Sequence, residues 1–292
     1  MGIVLRDLGQ LDGLIPDDAP RDGMIWDARG VWARVDDGRV TWTRPLPRRP
    51  SWSGHRRWLY VSADGALAAL DARTGQALWQ VEAAARALTA WEGGVHALVG
   101  DQVVTLDRRD GRARVSHPVV GDSLTARGST AWVGGPAGVV RVDGGVRRVS
   151  ERACRALVSR SAGVHALLEG GGIVVDDGMA LAFPFPDADQ AVLLPWGEDD
   201  WLACDRRTGA GVRRIDARGG TRWAWEGPPA RDVAVAGPCV AVDAGDGVYV
   251  ATSLGGGSAR IAAPTRALFG GESYFVLVDD DTCRVIRVEE QP

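Results

Sequence analysis

The feature that most constrains this chain is a phrase that returns. WLYVSADGALAALDARTGQALWQV, from Trp58 to Val81, breaks into three short apolar runs at glycine-containing turns. The runs are Trp58 to Ala63, Ala66 to Ala72 and Gln76 to Val81, with turns at Asp64–Gly65 and Thr74–Gly75. Such punctuation predicts an antiparallel meander, because each run is too short for a helix and each turn offers a residue that tolerates positive φ. Weaker copies start at Met24, Val95, Thr130, Val164, Trp201, Cys239 and Ser273, making eight. An aspartate closes the middle strand at Asp36, Asp71, Asp107, Asp143, Asp176 and Asp216, a period of roughly 36 residues.

Three strands do not make a propeller blade, so each copy requires a fourth. The intervals supply apolar fragments suited to an innermost strand: ALTAWEG, SLTARGS, CRALVSR, AVLLPWG, DVAVAG and RALFGG. The expectation is an all-β fold, a single β-propeller domain over residues 1–292 with eight four-stranded blades. The last copy lacks an outer strand, and Gly2 to Asp7 offers one, so an N-terminal strand is expected to close the ring. In the sixth copy, DRRTG at Asp205 to Gly209 competes with Asp216 to Gly219 for the same turn, which leaves a seven-blade count as the alternative.

Composition is that of an ordinary globular chain, 45% hydrophobic and 25% charged. All 34 basic residues are arginine, which suggests a GC-rich bacterial genome. A net charge of −4 argues against a general nucleic-acid binder. No apolar run is long enough for a membrane helix, and the N-terminal residues lack the pattern of a secretory signal, so a cytoplasmic location is expected. Cys154, Cys204, Cys239 and Cys283 stand far apart in apolar contexts and read as buried thiols in a reducing compartment.

The stretch ALDARTGQALW, Ala69 to Trp79, resembles the tryptophan-docking repeat of the quinoprotein-alcohol-dehydrogenase-like (PQQ-like repeat) propeller superfamily. That resemblance implies a structural role: Asp71 accepts hydrogen bonds from turn N–H groups, Gly75 supplies positive φ, and Trp79 packs on the neighbouring blade. Asp107 to Val115 and Asp36 to Trp42 are partial copies. The superfamily's quinone-dependent dehydrogenases carry an adjacent cysteine pair, which this sequence lacks. Its intracellular propellers, which act beside a MoxR-type ATPase and a von Willebrand A protein in bacterial ternary systems, resemble the chain in class and expected location.

Motifs of catalysis are missing. There is no Gly-x-Ser-x-Gly elbow, and Gly255 to Gly257 is not followed by the Lys-Ser/Thr of a phosphate-binding loop. The acidic groups at Asp17–Asp18, Glu198–Asp200 and Asp279–Asp281 are adjacent carboxylates rather than the alternating ligands of a calcium loop. His96 and His165 occupy the same place in two copies, VHALVG and VHALLEG, so they read as blade features. The sharpest local feature is TRPLPRRPSWSGHRRW, where Arg48, Arg49, Arg56 and Arg57 lie among prolines and Trp52. It reads as an inter-blade connection whose arginines and Trp52 form the candidate interaction surface. The expected function is a non-catalytic module binding a protein partner in a bacterial intracellular complex, without cofactor or metal. The alternative is a small-molecule-binding or enzymatic propeller with a site in the central channel.

Overall fold

A computed structural model describes residues 2–12, 25–28, 31–36, 39–45, 51–159, 163–169, 173–174, 180–181, 191–197, 200–205, 211–216, 220–252, 258–271, 273–280 and 282–291. Every regular element among them is a β-strand. They form seven four-stranded sheets and one of three strands, all antiparallel, and all but the eighth a simple meander. The first comprises Ile25–Ala28, Val31–Asp36 and Arg39–Pro45. The second is Ser51–His55, Trp58–Ala63, Ala66–Asp71 and Ala77–Glu82. The third is Ala85–Trp91, Gly94–Val99, Gln102–Asp107 and Ala113–Pro118. The fourth runs from Ser123 to Ser150, the fifth from Cys154 to Leu181, the sixth from Ala191 to Ala224 and the seventh from Asp232 to Ala262. The eighth joins Ala267–Gly270, Tyr274–Val278 and Thr282–Gln291 to Gly2–Asp12.

The contacts divide the chain into two compact units, Arg44–Phe183 and Met1–Thr43 with Pro184–Pro292. Within each, the core lies between sheets. In the first unit, Tyr60, Leu67 and Ala69 of the second sheet pack on Leu88, Val95 and Leu106 of the third. Leu98 and Val103 meet Ala131 and Val133, and Trp132 meets Val164 and Ala166. In the second unit, Leu202 and Cys204 pack on Val240 and Val242, Ala241 and Val250 on Phe275 and Leu277, and Val276 and Val285 on Ala33 and Val35. Alternation along each strand sends side chains to both faces of a blade, so one sheet contributes to two neighbouring cores.

Gly2–Asp12 is the outermost strand of the eighth sheet, antiparallel to Thr282–Gln291 from Gly2↔Gln291 to Asp12↔Thr282. A bulge between Asp7 and Gly9 bends it, and Gly9 takes a φ of +106°. The Arg284 guanidinium pairs with Asp7 at 2.7 Å and holds that carboxyl below the usual carboxylate range. Ile3 and Leu5 cover one core cluster, Leu8 and Leu11 the next. The strand expected at Gly2 to Asp7 is therefore present and extends to Asp12.

All six apolar fragments form the first strands of their sheets, the third through the eighth. In the sixth copy Asp205 ends the second strand, whereas Asp216 follows the third and its Oδ1 accepts from Gly220 N at 2.9 Å, so Asp216 is the closing aspartate; residues 206–209 and 217–219 of the two competing turns lie outside the described residues. Eight sheets set aside the seven-blade count. One finding was not anticipated. Ser51–His55, inside the proline- and arginine-rich stretch, is the first strand of the second sheet, so Trp52 is part of a blade and not of a connection.

Candidate functional site

The hairpin joining Ser51–His55 to Trp58–Ala63 consists of Arg56 and Arg57, closed by the pair His55↔Trp58. Both arginines are exposed. Arg56 holds a φ of 56°, the left-handed region, where a side chain costs about 1 kcal/mol relative to glycine. Its guanidinium reaches Glu92 on the corresponding hairpin of the third sheet at 3.7 Å. Arg57 lies 5.5 Å from the centroid of the Trp58 ring, and Arg108, from the third sheet, 5.6 Å from the same ring. One half-buried indole is thereby shared by two guanidiniums from adjacent blades.

Arg108 is fixed on both sides. Its Nη1 donates to Glu92 O at 2.9 Å, and its own carbonyl accepts from Trp79 Nε1 at 2.8 Å. Tyr60 lies beneath, its ring 5.8 Å from that of Trp79, and burial pushes its hydroxyl up to about 12. The turn that carries Arg108 is built as the repeat predicts. Asp107 Oδ1 accepts from Arg109 N at 2.7 Å, and those hydrogen bonds, with the Arg114 guanidinium, hold the carboxyl low. In the second sheet Asp71 Oδ1 accepts from Arg73 N at 2.8 Å, and Gly75 takes a φ of 69°.

Of the residues proposed from sequence, Arg56, Arg57 and Trp52 fall on the second sheet. Arg48 and Arg49 lie outside the described residues. Arg73, Arg108 and Arg109 were missed, yet the sequence signals them: they follow the turn aspartates Asp71 and Asp107 within two residues.

The other candidates have structural settings. His96 is buried, its Nδ1 2.9 Å from Thr105 Oγ1, its ring stacked at 13° on Trp91, and burial pushes its pKa down to about 4. His165 is equally buried. Asp200 pairs with Arg214 at 2.5 Å. Asp232 and Asp243 face each other in register and bind Leu268 N and Thr265 N at 2.9 and 3.1 Å, fastening the seventh sheet to the eighth; burial raises the Asp232 pKa. Asp17, Asp18, Glu198, Asp199, Asp281 and Gly255–Gly257 lie outside the described residues. Among the described residues no three His, Cys, Asp or Glu side chains gather as metal ligands, and no helix is long and apolar enough to cross a membrane.

Repeated antiparallel sheets, packed face to face on their neighbours within each unit, define a β-propeller. Solved structures agree. BamB from Moraxella catarrhalis is 20% identical, with 99% of each chain covered and a TM-score of 0.66. The computationally designed Ika8 protein is 17% identical over 96% of this chain and 98% of that one, with a TM-score of 0.67. The C-terminal WD40 domain of Sif2 is 14% identical over 98% and 99%, with a TM-score of 0.63. At these identities the likeness establishes the fold. No protein-family profile matches the chain, and no curated protein matches it in sequence.

Proposed function

We propose that this chain is a non-catalytic protein-interaction module, one propeller domain over residues 1–292 that serves as a scaffold in a bacterial intracellular complex. The observation that carries the reading is Trp58 with Arg57 and Arg108 against its ring, on exposed turns of two adjacent blades. Tryptophan and arginine are among the residues that dominate the energetics of protein interfaces, and short turns between paired strands present them with little backbone left to order on binding. The likeness to WD40 and BamB propellers supports the same class.

Affinity purification of the chain from its host tests this. A stoichiometric protein partner that is retained by the parent and lost with Arg56→Ala/Arg57→Ala is expected. In the setting we propose, a MoxR-type ATPase and a von Willebrand A protein are the first partners to test by co-expression. Consistent recovery of the chain alone overturns the module reading.

A further inference from the structure

We propose that the turns of the second and third blades carrying Arg57, Arg73, Arg108 and Arg109 bind an acidic segment of a protein partner. This rests on the module reading above and specifies the chemistry of that partner.

In each blade the first-to-second and third-to-fourth connections lie at one end of the sheet; the second-to-third turn and the link to the next blade lie at the other. The first strands of the second and third blades run in the same direction: Ser51 Oγ bonds Arg86 O at 3.2 Å, and Ser53 Oγ accepts from Ala90 N at 3.0 Å. Their corresponding ends therefore coincide. At one end stand Arg56, Arg57, Arg73, Arg108, Arg109 and Arg112. At the other, from the second blade through the fifth, stand Asp64, Glu82, Asp101, Asp122, Glu151 and Glu169, beside Arg86 and Arg152. Charge is sorted by end.

The arginine end also holds carboxylates, but these are committed. Glu92 pairs with Arg56, Asp110 with Arg112, and Asp107 with Arg114, while Asp71 folds onto its own turn. Arg57, Arg73, Arg108 and Arg109 form no salt bridge among the described residues, although Arg109 lies in the field of Asp107, and all but Arg108 are exposed. Two guanidiniums against one indole, with those of Arg73 and Arg109 on the turns at the same end of the sheets, suit carboxylates, which arginine binds in a two-pronged geometry, with an apolar contact between. A nucleic-acid backbone fits less well. It carries a charge every few ångströms and would lay phosphates against Asp71, Glu92, Asp107 and Asp110, whereas a peptide places its few carboxylates selectively.

The test is fluorescence anisotropy with the full chain and a labelled peptide alternating Glu with Leu and Ser, beside its Glu→Gln counterpart and an oligothymidylate. Saturable binding of the Glu peptide alone is expected, weakening about tenfold between about 50 and 300 mM salt. Arg57→Gln/Arg109→Gln should weaken it at least about tenfold at an unchanged melting temperature, and Arg57→Lys/Arg109→Lys should retain part of it. Asp64→Asn/Asp101→Asn, at the opposite end, should leave it unchanged. Unaltered affinity in the Gln variant overturns the placement. Absence of peptide binding, or tighter binding of oligothymidylate, overturns the chemistry, as does concentration-dependent self-association abolished by the same variant, which makes a second copy the occupant. If the stoichiometric partner still co-purifies with the Gln variant, this inference fails while the module reading stands.

Discussion

Trp79 of the second blade lies on Gly111 of the third so closely that a Cβ added to Gly111 would stand 2.7 Å from the indole. The same indole donates to Arg108 O at 2.8 Å. One side chain thus seals two blades and holds the backbone that presents Arg108 and Arg109. Structure and candidate function meet at this contact.

Gly111→Ala meets both that contact and a φ of +71°, so it should destabilise the chain by about 2–3 kcal/mol. Gly65, at φ +81° with nothing within 4 Å, is the control: alanine there should cost about 1 kcal/mol. Urea denaturation compares the two. Equal losses would show that the indole yields freely.

His96 should make stability depend on pH. Its folded pKa of about 4 lies below the ordinary 6.5, because burial disfavours the imidazolium. The unfolded chain then binds a proton that the folded chain refuses, so stability is complete above pH 6.5 and falls as pH drops toward 4. The linked loss amounts to about 3 kcal/mol. His96→Gln should flatten the profile across that window; an unchanged slope would assign the effect elsewhere.

Arg56 occupies the left-handed region although glycine would be easier there. Arg56→Gly should therefore raise stability by up to about 1 kcal/mol while weakening partner binding. Calorimetry and the co-purification assay read the two effects separately. A variant that gained stability and kept its partner would show that this arginine is dispensable at the interface.

Removal of residues 1–8 strips Ile3, Leu5 and Leu8 from two core clusters and bares the edge of Thr282–Gln291. A loss of several kcal/mol and a tendency to aggregate are expected in thermal melts with light scattering. A truncated chain that melts with the parent would refute the role of this strand.

Much of the fold was legible because a meander announces itself through local turn chemistry. Asp71 and Gly75 do in three dimensions what their spacing suggested, and six first strands were visible as apolar fragments. Ser51–His55 escaped because its neighbours are proline and arginine, and its one large apolar residue, Trp52, gives no alternation to read. The site was less legible for a different reason. Arg57 and Arg108 are 51 positions apart and meet only because consecutive blades stack, a relation that spacing along the chain does not encode.

The pairing of Gly2–Asp12 with Thr282–Gln291 also governs how the molecule is made. Asp12 waits for Thr282, 270 positions later, and Gly2 for Gln291. At about 5–20 residues per second, the first strand leaves the ribosome roughly 14–54 seconds before its partner exists. For that interval an apolar strand stands with both edges open, and the eighth sheet is the last to be completed. The last pairing to form is thus the one the first strand has awaited longest, and because Gly2 faces Gln291 a fusion at either end of the chain is carried beside it.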